Sequence, residues 1–391
     1  MNQLKVRIVP HARTSIGEEE IAAVTRTLRS GWLTSGPVVA EFEEAFSRRL
    51  GDVHSVATNS NTMGQLITLK ALGIGPGDEV IVPTTTFVAT AMSAHHLGAK
   101  IVPVDIDPIT LNIDPARIEE AITPRTRLLL PVHLGGLTCD MKAIQAIAAR
   151  HDDLQVVEDA AHALLSSRDG HVVGAGGSAA SVFSFYATKS ITCGEGGMVT
   201  TRDPALAARL RILRHHGIDR DAFNRQESQG WGYDVSEDGY KANMTDISAS
   251  IGLAQLAKLD AMQTRRTAIA HRYLDAFADL PLALPALPPP GDSHAWHLFI
   301  VRLRAISPLE PPPMSRDSFI SAMQNRGVQC GVHYIPLHRH SFWQRQLALD
   351  EARFPVAEAT FATSVTLPLY AAMSDDDVDY VIETVRGLLS S

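Results

Sequence analysis

From Val53 to Phe185, short apolar runs alternate with segments of helical period, and no other feature constrains the fold as much. Val53–Ala57 reads as a strand, followed by a helix from about Thr62 to Leu72. The turn Gly75-Pro76-Gly77-Asp78 leads into a buried strand, Glu79–Pro83, and then a helix near Val88–Leu97. Further strands are predicted at Lys100–Val104, Arg127–Val132, Gln155–Glu158 and Ala179–Phe185. Helices are predicted over about Pro115–Ala121 and Met141–Arg150. Strands this short and this apolar suit a sheet covered on both faces, so the pattern predicts an open, largely parallel α/β sheet clad in helices. Gly197–Thr201 is a further strand candidate.

The remainder reads differently. Thr245 can cap a long helix running through Ile247, Ile251, Leu256 and Leu259, past Arg265 towards Phe277. The proline-rich stretch from Pro281 to Gly291 must break regular structure. Beyond it, His297–Leu303 is a strand candidate and Arg316–Arg326 a helix, with the proline cluster Pro308–Pro313 between them. At 391 residues the chain exceeds a usual single domain. The expected division is a large domain over 1–265 and a smaller C-terminal one over 266–391.

Composition narrows the partners. The net charge is −8 and the basic residues are scattered, which argues against nucleic acid or an acidic membrane. Cys139, Cys193 and Cys330 are odd in number and far apart, so neither a disulfide framework nor a metal site follows. No run approaches a signal peptide or a membrane span. These features together predict a soluble, cytoplasmic protein.

One lysine stands apart. The stretch Ser181-Val-Phe-Ser-Phe-Tyr-Ala-Thr-Lys189 places an amine just past a buried strand, and a glycine-rich turn, Gly194-Glu-Gly-Gly197, follows. Lys189 is the sole lysine between Lys142 and Lys241. An amine so placed can be desolvated, which is the reactive state for forming a Schiff base with pyridoxal 5′-phosphate. Such a site also needs a carboxylate for the pyridine nitrogen, donors for the phosphate and a surface against the ring.

The carboxylate candidates are Glu158 and Asp159, at the end of an apolar strand, where open α/β sheets take ligands. Asp159 is the choice because His162 can share its side of the site. A charge pair opening the next helix is the plainer use of both residues. The polar loop Thr58-Asn-Ser-Asn-Thr-Met-Gly64 opens a helix, so its free N–H groups can receive an anion or simply be capped by Ser60 or Thr62. Ser184 can add a hydroxyl. Phe87 offers a flat face to the ring or fills the core.

An ordered set of motifs goes further. Gly75-Pro-Gly-Asp-Glu-Val-Ile-Val-Pro83, Gly98-Ala-Lys-Ile-Val-Pro-Val-Asp-Ile-Asp107, Glu158-Asp-Ala-Ala-His162, Phe183-Ser-Phe-Tyr-Ala-Thr-Lys189 and Gly194-Glu-Gly-Gly-Met198 come first. Gly239-Tyr-Lys-Ala-Asn-Met-Thr-Asp246, Gly331-Val-His-Tyr-Ile-Pro-Leu-His338 and Leu367-Pro-Leu-Tyr370 follow. The chain thereby resembles, over nearly its whole length, the DegT-like nucleotide-sugar aminotransferases. These are pyridoxal phosphate enzymes of fold type I, with a mostly parallel seven-stranded sheet in the large domain and a smaller α+β domain.

The resemblance implies roles. Lys189 would be the Schiff-base lysine and Asp159 the partner of the pyridine nitrogen. His162 would lie by the cofactor's phenolic oxygen and Phe87 on its ring. Asn61, Thr62, Met63 and Ser184 would hold the phosphate. Asn243 would reach the phosphate in a neighbouring subunit, which makes the active unit a homodimer with composite sites. His333 and Tyr334 would close the substrate side. The implied reaction moves an amino group from L-glutamate, released as 2-oxoglutarate, through pyridoxamine phosphate to a nucleotide-linked keto sugar. A 4-keto-deoxyhexose is the first choice, because Lys241-Ala-Asn243-Met-Thr-Asp246 resembles the branch where 4-amination is common. A 3-keto sugar or a ketocyclitol is the alternative. A non-enzymatic regulator that keeps the cofactor fold is a third reading, which the retained lysine opposes.

The sequence departs from the family's pattern in places. Ser60-Asn-Thr-Met-Gly-Gln65 stands where Ser-Gly-Thr-Ala-Ala-Leu is usual, so Asn61 replaces a glycine and Gln65 puts an amide on an otherwise apolar helix face. Ala242 replaces a common aromatic. The family's sugar dehydratases carry histidine in place of the lysine, so Lys189 favours transamination.

Overall fold

The computed structural model of the protein describes residues 7–219, 232–305 and 312–389. The seven strands of the main sheet begin with β1 (His54–Thr58), β2 (Glu79–Pro83), β3 (Lys100–Val104), β4 (Thr126–Leu129) and β5 (Gln155–Asp159). After a short hairpin, β6 (Ser167–Arg168) and β7 (His171–Val172), come β8 (Ala180–Ser184) and β9 (Gly197–Thr201). The spatial order is β1-β9-β8-β5-β4-β2-β3. Pairing is parallel from β3 through β8, and β9 alone runs against the rest, between β8 and β1.

The two faces of this sheet can be read off the strands residue by residue. Val80, Val82, Leu128, Val157, Val182 and Val199 enter one apolar cluster with Leu66, Leu69, Ala91 and Leu210 from covering helices. Their neighbours Ile81, Leu129 and Val156 enter a second, and Phe183 and Met198 a third. This period-two division between buried clusters is why the strands are apolar throughout. Strand β4 stops at Leu129, short of the predicted Val132, because Pro131 offers the ladder no N–H. Val132 keeps a single bridge to Asp159.

A long helix, Asp246–Phe277, starts where Thr245 Oγ1 accepts from Ser248 N–H at 3.1 Å. Leu259 and Met262 pack with Phe42, Phe46 and Phe185 against the main sheet. Ile269, Tyr273 and Phe277 pack instead in the core of a second, antiparallel sheet. That sheet consists of β10 (Leu282–Ala283), β11 (Phe299–Leu303) and β12 (Ser364–Leu367). Helices Arg316–Asn325 and Asp375–Leu389 cover it with Phe319, Met323, Val378 and Val381. The N-terminal segment joins the same core, since Val9 N–H donates to Gly327 O and Val9 O accepts from Gln329 N–H. The fold is thus a large mixed-sheet α/β region with a smaller C-terminal α+β region. Residues 308–311 of the second proline cluster lie outside the described residues.

Candidate active site

A cavity of about 570 Å³ lies at the carboxyl ends of the parallel strands. Asp159 ends β5 and Ser184 ends β8; Ser60–Thr62 follow β1, and Thr86 and Phe87 follow β2. The smaller region supplies the opposite wall with His297, Leu298, His333, Tyr334, Leu367 and Leu369. His11 and Ala12 close it from the N-terminal segment.

Lys189 follows β8 on the main-sheet side of the cavity and is half-buried, in a turn held by its backbone N–H to Tyr186 O at 3.0 Å. Burial pushes its amine down to about 8 from the usual 10.5, while the negative charge of Asp159 acts in the opposite sense. The amine is therefore mostly protonated at about pH 7 but gives up its proton far more readily than an exposed lysine.

Asp159 and Glu158 are sent to opposite faces by the strand's alternation. The Glu158 carboxylate is fully buried and accepts from His133 Nε2 at 2.8 Å, His171 Nε2 at 2.9 Å and Ser181 Oγ at 3.2 Å, away from the cavity wall. These donors hold it well below the usual carboxylate range against the cost of burial. Neither acid opens a helix, because β5 runs into a turn. Asp159 lines the cavity and accepts through Oδ2 from Thr90 Oγ1 and Gln65 Nε2, both at 2.8 Å. Its Oδ1 accepts from Ala161 N–H at 3.1 Å and, more weakly, from Asn61 Nδ2 at 3.4 Å.

The loop after β1 opens the helix Asn61–Ala71. Ser60 Oγ caps it by accepting from Met63 N–H at 3.2 Å. The first-turn N–H groups of Asn61 and Thr62 have no partner among the described residues, and both residues line the cavity. Gly197 makes this placement possible. A Cβ there would stand 2.6 Å from Ser60 C and 2.7 Å from Asn61 N, so β9 can pass the loop only as glycine. Gly64 is explained the same way, because a Cβ would meet Val182 Cγ1 at 2.8 Å.

His162 sits beneath Tyr334. Its Nδ1 accepts from Gly135 N–H at 3.2 Å, which leaves the proton on Nε2, 3.1 Å from the Tyr334 hydroxyl. Burial keeps the ring neutral, reinforced by Lys189, His297 and His333. Burial likewise pushes His333 down to about 3, and its Nδ1 pairs with Thr366 Oγ1 at 2.8 Å. Phe87 is 56% exposed, so it is a wall of the cavity and no core residue; its ring centre lies 5.9 Å from that of Tyr334.

Asn61, Thr62, Phe87, Asp159, His162, Ser184, Lys189, His333 and Tyr334 are brought together in this one cavity. Met63 is outside it, turned into the apolar cluster beneath the sheet. Asn243 is also outside it, with Nδ2 donating to Ser35 Oγ at 2.7 Å and Oδ1 accepting from Lys241 Nζ at 2.5 Å. Sequence reasoning missed His11, His297, Thr90, Tyr186 and Glu195. Thr90 lies in a predicted helix, one turn beyond Thr86, and His297 opens a predicted strand, but neither pattern marks a site; His11, Tyr186 and Glu195 fall in no helix or strand pattern.

The residues fit pyridoxal phosphate. They offer a neutralisable amine, a carboxylate with accepting capacity across the cavity, unpaired N–H groups and a hydroxyl for the phosphate, and an exposed aromatic face. Fold and site define a pyridoxal phosphate-dependent aminotransferase of fold type I. The chain belongs to the DegT/DnrJ/EryC1/StrS aminotransferase family, whose model matches residues 14–386. It is 46% identical to the spore coat polysaccharide biosynthesis protein SpsC of Bacillus subtilis, across 100% of this chain and 99% of that protein. Spr1654 from Streptococcus pneumoniae, solved in its PMP form, superposes with a TM-score of 0.90 at 34% identity, covering 97% of this chain and 98% of that one. The sugar aminotransferase CalS13 from Micromonospora echinospora superposes with a TM-score of 0.86 at 28% identity, covering 97% and 100%.

Proposed function

We propose that the chain transfers an amino group from L-glutamate to a nucleotide-linked keto sugar, most suitably a 4-keto-deoxyhexose. The observation that carries this is Lys189, an amine pushed down to about 8 in a cavity whose opposite wall is uncharged imidazole and phenol. A ring of hydroxyls suits such a wall, because each neutral imidazole and the Tyr334 hydroxyl can donate and accept. A cavity of this size lies within the range of roughly 300–1,000 Å³ typical of small-molecule sites. The sugar chemistry in the names of CalS13 and SpsC agrees with this reading.

Bound pyridoxal phosphate supplies an electron sink and carries the amino group between the two half-reactions. Lys189 would hold the cofactor and, once freed, its amine would take the proton from the donor's Cα in the first half-reaction and deliver a proton to the sugar carbon that receives the amino group in the second. Asp159 would pair with the ring nitrogen, the Asn61 and Thr62 N–H groups and Ser184 would bind the phosphate, and Phe87 would cover the ring. The Tyr334 hydroxyl accepts from His162 and keeps its own proton for the substrate. The nucleotide extends beyond the reacting centre and orients the sugar.

The active unit in this reading is a homodimer in which Asn243 serves the other subunit's cofactor. Two features support it: Asn243 lies outside its own cavity, and the segment leading to its partner Ser35 exposes Ile16, Ile21, Leu28 and Leu33. The test begins with protein charged with pyridoxamine phosphate by glutamate, with 2-oxoglutarate measured. Nucleotide-linked 4-keto and 3-keto sugars and a free ketocyclitol are then added, and the return of pyridoxal absorbance is followed. Return with the nucleotide-linked 4-keto sugar is expected. Return with the 3-keto sugar or the free ring alone would overturn the substrate assignment.

A further inference from the structure

Two of the residues that depart from the family's pattern, Asn61 and Gln65, meet at Asp159. They stand four apart, hence on one face of the same helix, which points them together at the end of β5. Gln65 is fully buried. Its Nε2 donates to Asp159 Oδ2 and to Asn61 Oδ1, each at 2.8 Å, and its Oε1 accepts from Ser93 Oγ at 3.0 Å. Flipping the amide would turn an oxygen towards two other oxygens, so the network itself fixes its orientation. Asn61 Nδ2 is anchored in turn on Val182 O at 2.8 Å. Thr86 and Thr90 form the second arm, 2.8 Å apart, with Thr90 donating to the same Oδ2.

Both short contacts therefore fall on Oδ2 and use its two lone pairs. Oδ1 keeps one good partner, Ala161 N–H, and a 3.4 Å contact to Asn61. We propose that Gln65 is a positioning residue: braced by Ser93 and Asn61, its amide fixes the plane of the Asp159 carboxylate and leaves Oδ1 as the acceptor for the cofactor's ring nitrogen. This rests on the reading of Asp159 as that nitrogen's partner. An apolar residue at position 65 could brace nothing, and Asn61 Oδ1 would lose its buried donor.

Gln65→Glu and Gln65→Met in the full-length protein test this, with the cofactor labelled by ¹⁵N in its ring. As a neutral acid, the introduced carboxyl can donate to Asp159 as the amide does; as an anion it repels Asp159. The charged or titratable groups facing it are Asp159 from β5 and, through the field of Asp159, Lys189 and Tyr334. The neighbours Ser93, Thr90 and Asn61 do not titrate. For Gln65→Met the rate of the glutamate half-reaction should fall roughly 10–100-fold, the scale for removing an outer partner of a functional ligand. The ring ¹⁵N resonance should move towards the unprotonated form, and the glutamate KM should change much less than the rate. For Gln65→Glu both readouts should be close to native at low pH and deteriorate as pH rises. Native ¹⁵N positions and a native pH profile in Gln65→Glu would overturn the role of Gln65. If Gln65→Met does not fold, the isosteric Gln65→Glu decides alone. A native protein that takes no pyridoxal phosphate on Lys189, or whose ring nitrogen is unprotonated, would instead strike the reading of the site.

Discussion

The Tyr334 hydroxyl lies 3.1 Å from Nε2 of His162, and this contact joins the smaller region to the carboxyl edge of the main sheet across the cavity. Because Gly135 N–H occupies Nδ1, His162 must donate and Tyr334 accept. The phenol proton is then left for a bound molecule.

Tyr334→Phe removes the acceptor and strands a buried N–H. The expected loss is about 1–2 kcal/mol of stability, measured by denaturant unfolding of the cofactor-free protein. Turnover of the sugar should fall more than turnover of glutamate. Equal loss in both half-reactions would show that the hydroxyl has no part in meeting the sugar.

Lys189 makes stability depend on pH in a definite direction. Its folded value, about 8, is below the ordinary 10.5, so between those limits the unfolded chain binds the additional proton. Stability of the cofactor-free protein should therefore climb as pH rises through that window. Below about pH 8 the amine is charged in both states and its burial opposes folding in full. Lys189→Met has no such amine, so the difference in unfolding midpoint between the two proteins should shrink from pH 8 to 10.5. A constant difference would contradict it. Lys189→Arg should be inactive at every pH, because a guanidinium does not give up its proton.

The main sheet was legible because its strands are buried on both faces and bounded by glycine and proline, which writes them as apolar runs. The helix Glu18–Ser30 went unread for the opposite reason. Its buried side chains are Glu20, Ala23 and Thr27, while Ile21 and Leu28 are exposed, so its apolar stripe points away from the core. At the site, Lys189 and Asp159 could be picked out by their place at strand ends. Only the nearness of His162 favoured Asp159 over Glu158 in sequence, and the alternation of β5 separates the two in the fold. The bracing of Asp159 had a signal in the four-residue spacing of Asn61 and Gln65, but its target lies 94 residues from Gln65 and comes into reach only through the parallel pairing of the sheet. His11 has no local pattern, and His297, which opens the predicted strand His297–Leu303, stands just ahead of β11, so both meet the cavity through loops.

Gly197→Ala puts a methyl group into the backbone of Ser60 and Asn61, at 2.6–2.7 Å. Backbone on both sides leaves nothing flexible to give way. The expected cost is about 3 kcal/mol, at the upper end of overpacking effects, seen as a lowered melting temperature. Pyridoxal phosphate affinity should fall as well, because the N–H groups of Asn61 and Thr62 are displaced. Inorganic phosphate competition should weaken in parallel. A variant of native stability and native cofactor affinity would show that β9 and the loop are not in contact.

Asn243 provides the sharpest test of a composite site. In its own subunit it is tied to Ser35 and Lys241 and lies outside the cavity, although its backbone bridges Thr58 at the end of β1. If it serves a cofactor, that cofactor belongs to another copy, and twofold symmetry sends each Asn243 across. Asn243→Ala should then weaken cofactor retention without unfolding the chain, since its side-chain bonds are to Ser35 and Lys241 near the surface. Mixing Lys189→Ala with Asn243→Ala subunits should place both lesions in one site of each mixed dimer and leave the other intact. Activity should return to about half the native level per mixed dimer, because one of two sites is whole. The mixture is read against each parent variant alone, at matched concentrations. If Asn243 acts within its own subunit, every site in the mixture carries a lesion, and activity stays at the level of the impaired parents.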